Sequence, residues 1–151
     1  MATKKIDRYH YVECGLSNIY LAGVTAAVCK CGEEEVLIPQ VEQLHRLIAG
    51  DVASREPRLL PEEIRFLRVY LGMSGKTFAA VMSVSPEAVS RWENGRTKMG
   101  LISEKLLRLL VISKAGPFDD YGQFELLATK TQKRTKERIF NAVDHTWRVA
   151  A

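Results

Sequence analysis

At 151 residues the chain suits one domain of ordinary size or two small ones. With 46% hydrophobic and 26% charged residues it can pack a core, yet no stretch approaches the roughly 18 apolar residues of a membrane span and no apolar run follows the basic Lys4, Lys5 and Arg8, so the expectation is a soluble, cytoplasmic protein with no membrane association. The net charge of +4 resides in one C-terminal cluster, Lys130, Lys133, Arg134, Lys136 and Arg138 around Glu137, a pattern that suits bound phosphates, an acidic protein or a solvated helix face.

From about Tyr9 to Ile38 the chain has strand character, with Asn18-Ile19-Tyr20-Leu21 and Val36-Leu37-Ile38 flanking Gly23, Gly32 and the acidic run Glu33-Glu34-Glu35, which predicts a small antiparallel sheet. Pro39 can open a helix that puts Val41, Leu44, Leu47 and Ile48 on one side and that Gly50 can close. Residues 1–50 thus read as a small α+β unit for dimerisation or partner binding, too small for comfortable stability without a metal, a partner or a neighbour. Residues 51–58, with Ser54, Glu56 and Pro57, read as a linker.

Residues 59–116 read as helices separated by short breaks. Pro61, Glu62 and Glu63 supply a helix start, Ile64, Leu67 and Leu71 follow at helical spacing, and Gly72 ends the segment. Ser74 can cap a second helix carrying Phe78, Ala79, Val81 and Met82; after Ser83-Val84 a third opens with Ser85 as cap and Pro86 in its first turn. A fourth, Ile102 to Ser113, is predicted to bury Ile102, Leu106, Leu109 and Leu110 before Gly116-Pro117 stops it. Residues 117–151 read as a basic helical tail, in which Thr135 to Trp147 would align Ile139, Val143 and Trp147 on one side for docking on its own chain or on a twin.

The third helix carries the functional signal. Val89 and Trp92 share the side on which Ala79 and Val84 are available to pack, which leaves Pro86, Glu87, Ala88, Ser90 and Arg91 outside. A guanidinium can clamp guanine or a phosphate, serine can bond base edges or phosphate oxygens, and glutamate can accept from cytosine; that chemistry fits a DNA major groove. Glu87 and Arg91 are also one turn apart, so an ion pair between them is the competing reading. Asn94-Gly95 ends the helix and leaves Arg96 and Lys98 beside a bound strand as phosphate contacts.

On these residues the segment resembles the helix-turn-helix family of the Cro and phage repressor type, often termed XRE-like: Ile64 to Ser74 is similar to its first helix and turn, and Val84-Ser85 through Gly95 to its turn and recognition helix. The resemblance implies a mainly α fold, a five-helix-type, lambda-repressor-like helix-turn-helix bundle beside the small N-terminal α+β unit. It further implies base-edge contacts from Pro86, Glu87, Ala88 and Arg91, and phosphate contacts from Ser74, Lys76, Ser90, Asn94 and Arg96. One departure is Gly75, where the family commonly has glutamine, so Lys76 or Thr77 would have to substitute. The front of the chain, Tyr11 to Leu21 and Ile38 to Ala49, resembles the N-terminal half of MqsA-like bacterial regulators, often the antitoxin of a toxin–antitoxin pair. That implies a front unit binding a partner, with a cognate toxin as the possible one, and a rear unit binding the operator.

Three cysteines, an odd number, argue against a secreted disulfide framework. Cys29-Lys30-Cys31-Gly32 is similar to one knuckle of a zinc ribbon, but its one-residue spacing is defective and Cys14 stands alone; a site from Cys14, Cys29, Cys31 and either His10 or His45 is the alternative to small cysteines in a degenerate remnant. The expectation is no metal and no cofactor. No serine–histidine–acid set, phosphate-cradling glycine loop or HExxH string is present, so no enzymatic activity is expected. The predicted function is a sequence-specific transcriptional regulator, a homodimer on an operator of double-stranded DNA, with an antitoxin role repressing its own operon. The alternative is a protein-interaction module that sequesters a toxin or assembles a complex without reading DNA.

Overall fold

The computed structural model describes residues 2–55, 57–115 and 137–150. They fall into two compact units, one lying within residues 1–47 and 135–151 and the other within residues 48–134. Among the described residues no helix is long and apolar enough to cross a membrane.

The first unit is built on two sheets. One is antiparallel, in the order β1 (Ala2–Ile6), β4 (Val24–Val28), β5 (Glu34–Leu37). The other runs β2 (Tyr9–His10), β3 (Ile19–Ala22), β6 (Arg138–Val143), β7 (Thr146–Val149), with β3 and β6 parallel. Alternation sorts the side chains: Ile19 and Leu21 on β3 and Val24 and Ala26 on β4 are buried, while the residues between them are half-covered. At the β3–β4 corner Gly23 takes φ 74°, and a Cβ there would sit 2.9 Å from the Ala142 carbonyl oxygen, so only glycine fits.

The C-terminal segment corrects the predicted helical tail. Over 138–149 it is a hairpin turning at Asp144 (φ 48°) and His145 (φ 63°), both left-handed, as a two-residue turn with the strands' own twist requires. The four-residue spacing of Ile139, Val143 and Trp147 is coincidental: Ile139 and Val143 remain 36% and 41% exposed, while Phe140 is fully buried. The pairing with β3 in the register Ile19↔Arg138 outweighs local helical spacing. Trp147 is occupied within its own chain: it is buried, and its indole N–H donates to the Pro39 carbonyl at 2.7 Å. Lys130, Lys133, Arg134 and Lys136 of the basic cluster, the Gly116-Pro117 stop and Glu56 lie outside the described residues.

Helix α1 (Val41–Ser54) starts after Gln40, not at Pro39, and runs through Gly50 into the stretch expected to be a linker. Its buried side chains, Leu44, Ile48, Ala49, Val52 and Ala53, continue the apolar stripe for two turns beyond Leu44. Gly50 does not end the helix, because a glycine in a helix interior weakens it by only about 1 kcal/mol, which the burial of Val52 and Ala53 offsets.

The second unit holds α2 (Pro61–Tyr70), α3 (Gly75–Met82), α4 (Pro86–Glu93) and α5 (Leu101–Ala115). Pro61 opens α2, and the Glu63 carboxylate accepts from the Leu60 N–H at 2.7 Å. Gly72, at φ 73°, terminates the segment as expected, with the Met73 N–H returning to the Arg68 carbonyl at 3.2 Å. Ile64, Phe66, Leu67, Phe78, Ala79, Met82, Val89, Trp92, Met99, Leu107, Val111 and Ile112 are buried, whereas Val81 is exposed.

The inward face of α5 also departs from expectation. Ile102 is 86% exposed and Leu106 36%, while Glu104, Leu107, Arg108, Val111 and Ile112 face inward. The reason is a buried charge cluster. Arg108 donates to Glu104 Oε1 at 2.8 Å and to the carbonyls of Ala53 (3.0 Å), Arg55 and Pro57 (2.7 Å); Glu104 also receives Arg58 Nε at 2.5 Å and the Leu59 N–H at 3.1 Å. The segment after α1 is therefore tied down by its backbone. Burial alone would push the Glu104 carboxyl up, but hydrogen bonds from Arg108, Arg58 and the Leu59 amide, with the Arg108 charge, hold it below the ordinary carboxylate range.

Candidate nucleic-acid interface

The α3–turn–α4 segment is shaped by three caps. Ser74 Oγ accepts from the Thr77 N–H at 3.1 Å, and Ser85 Oγ accepts from the Ala88 N–H at 3.2 Å. Between the two helices Ser83 takes φ 56°, and the Val84 N–H returns to the Ala79 carbonyl at 2.9 Å, which turns the chain sharply into α4. A serine in that left-handed conformation is strained relative to glycine.

One side of α4 is anchored. Val89 and Trp92 are 2% and 7% exposed. Glu93 is held by an ion pair that the residue pattern did not disclose: Arg68 of α2 donates through Nε to Glu93 Oε1 at 2.5 Å and through Nη2 to Oε2 at 3.4 Å, while its Nη1 bonds the Met73 carbonyl at 2.9 Å. Both side chains are nearly covered, at 14% and 13% exposure, so this bidentate pair fixes the pitch of α4 against α2. The available signal was Arg68 itself, one turn after Ile64 on the inward stripe of α2.

The opposite side is open. Pro86, Glu87, Ser90 and Arg91 are exposed and Ala88 is half-buried. No ion pair joins Glu87 to Arg91, so the competing pairing is not formed. Ser74, Lys76, Asn94, Arg96 and Lys98 are exposed as well. Asn94 is partly engaged, donating to the Ser90 carbonyl at 2.9 Å and to Ser90 Oγ at 3.2 Å, and Ser74 donates to Thr77 Oγ1 at 3.0 Å. Gly95, at φ 72°, ends α4, and the Arg96 N–H returns to the Arg91 carbonyl at 2.9 Å. Lys76, Arg91, Arg96 and Lys98 thus present four cations against the single carboxylate of Glu87, none of them in an ion pair among the described residues. Glu93, the other acid of α4, is neutralised by Arg68.

Gly75 opens α3, and a Cβ built there would meet nothing within 4 Å. The four candidate zinc ligands are not assembled. Cys14 Sγ donates to the Tyr11 carbonyl at 3.2 Å, His10 Nε2 bonds the Ser17 carbonyl at 2.7 Å, and His45 Nε2 bonds the Tyr11 hydroxyl at 2.8 Å. No group of three His, Cys, Asp or Glu residues able to hold a metal occurs among the described residues. Burial holds the His45 imidazole below its ordinary range and pushes the Tyr11 phenol up, so both are neutral at neutral pH.

No curated protein and no solved structure matches the chain. Residues 64–111, spanning α2 to most of α5, match the model of the Helix-turn-helix family. The chain therefore carries an XRE-type helix-turn-helix domain over residues 64–111, a DNA-binding regulatory module.

Proposed function

We propose that the chain is a sequence-specific transcriptional repressor that inserts α4 into the major groove of an operator, reading base edges with Pro86, Glu87, Ala88 and Arg91. Ser74, Lys76, Ser90, Asn94, Arg96 and Lys98 hold the flanking phosphates. The observation that carries this reading is the division of α4 into a face locked by Val89, Trp92 and the Arg68–Glu93 pair and an exposed face with its cations unpaired. Rigid anchoring on one side is what a helix needs to present side chains to bases in a fixed register. An eight-residue helix reads few base pairs. A homodimer on half-sites about 34 Å apart supplies the missing specificity.

The test separates reading from holding. Arg91→Ala is expected to cost about 1–3 kcal/mol on the operator and to relax preference at one position, whereas Arg96→Ala weakens operator and random DNA alike. Equal losses on both DNAs for Arg91→Ala contradict the assignment. Binding should also weaken steeply with added salt, because each neutralised phosphate releases a counterion.

The finer role is that of a type II antitoxin repressing its own operon, with the first unit holding the toxin. Support comes from the likeness of residues 11–21 and 38–49 to MqsA-like regulators and from the division of the chain into two compact units. Co-purification of the product of a cotranscribed neighbouring gene, with relief of that product's toxicity, is the expected result. A chain that regulates without any such neighbour is a plain repressor.

A further inference from the structure

The turn between β4 and β5 brings two exposed thiols together, Cys29 and Cys31. Its backbone is closed by the Cys29 N–H on the Glu33 carbonyl at 2.8 Å and the Gly32 N–H on the Cys29 carbonyl at 2.9 Å, with Gly32 at φ 88°. This winding aims an amide at sulfur. The Cys31 N–H donates to Cys29 Sγ at 3.4 Å. An N–H···S bond of this kind is outer-shell support that orients a coordinating thiolate.

Ligand count then selects the cation. Zinc and iron–sulfur centres take four ligands, and calcium or magnesium takes six or more oxygens. Here the described residues provide no third ligand, and Cys14 is engaged with the Tyr11 carbonyl. Two thiolates with nothing else match a soft d10 ion content with two-coordinate geometry. We propose that Cys29 and Cys31 bind one Cu(I) ion per chain. Both thiol protons leave to solvent, two Cu–S bonds form, and no oxidation state changes. The resulting bis-thiolate complex carries one negative charge, and Lys30, between the two ligands in sequence and exposed, is a cation of opposite sign in the same turn.

The experiment uses the reduced full-length protein under anaerobic conditions, titrated with Cu(I) held by the coloured chelator bicinchoninate, with the mass of the assembly followed in parallel. The expected result is withdrawal of one Cu(I) per chain with no change in assembly. Cys29→Ser and Cys31→Ser should each weaken binding by about 100-fold or more, since even outer-shell changes cost about 10–100-fold, while Cys14→Ser stays within a factor of about two. Because both side chains are exposed, these variants are expected to keep the wild-type circular dichroism spectrum and melting temperature. Three outcomes overturn the proposal: no withdrawal from the chelator, unchanged affinity in the Cys29→Ser/Cys31→Ser double variant, or one ion per two chains with a doubling of mass, the signature of a four-thiolate site shared by two copies.

Discussion

The second unit is a run of helices, with α3 packed on its chain neighbour α4 and both α4 and α5 on α2. The first is closed by β3 pairing in parallel with β6, whose partners Ile19 and Arg138 lie near opposite ends of the sequence. A helical unit of this kind nucleates from local contacts, whereas the parallel pair incurs the entropy of closing a long loop before any hydrogen bond forms. The two units also fill their interiors differently. The first relies on apolar alternation around Ile19, Leu21 and Phe140, while the second encloses a network of Arg108, Glu104 and Arg58.

The largest expected effect breaks that network. Arg108→Ala leaves Glu104 buried with its main partner gone and frees the carbonyls of Ala53, Arg55 and Pro57, and should destabilise the second unit by about 3–5 kcal/mol in denaturant titration. A loss below about 1 kcal/mol would mean the network is not structural. In the first unit Trp147→Ala removes a buried indole and its bond to Pro39, for about 3 kcal/mol, the low end of the range for such truncations because β7 is an edge strand and can relax. The near-ultraviolet signal of the remaining aromatics should report it.

Acid should act on the two units in separate windows. His45 has a depressed folded pKa, so the unfolded chain takes up a proton first; the associated stability is complete above about pH 6.5 and declines as pH falls through the lower folded value. Glu104 is likewise depressed, but from the carboxylate range. Its contribution is complete above about pH 4.5 and is lost as pH falls further. His45→Gln should erase the upper window and leave the lower one. The smallest expected effect is a gain: Gly50→Ala in α1, where a new Cβ meets nothing nearer than the Ala115 Cβ at 3.7 Å, should stabilise by about 0.5–1 kcal/mol. Its measure is the melting temperature.

Much of the candidate interface was legible in the residues. Ser74, Ser85 and Pro86 announce helix starts, Gly72 and Gly95 announce ends, and the division of α4 into Val89 and Trp92 inside against Glu87, Ser90 and Arg91 outside follows from the period of 3.6. The Arg68–Glu93 pair was not, because a charged residue on an inward stripe reads as a surface residue until its partner is known. The same blindness misplaced the face of α5: Ile102 and Leu106 are the apolar choice for its core side, yet Glu104 and Arg108 occupy it.

Local order in this protein, the positions of α2, α3 and α4 and the chemistry they present, was already written in capping residues and helical spacing, since those interactions span only three or four positions. Where Arg138 to Val149 would lie, and which charges would be buried, was settled by partners far away along the chain. A strand acquires its hydrogen bonds, and a buried guanidinium its acceptors, only after folding has brought Ile19 to Arg138 and Ala53 to Arg108, and no pattern of neighbouring residues contains that information.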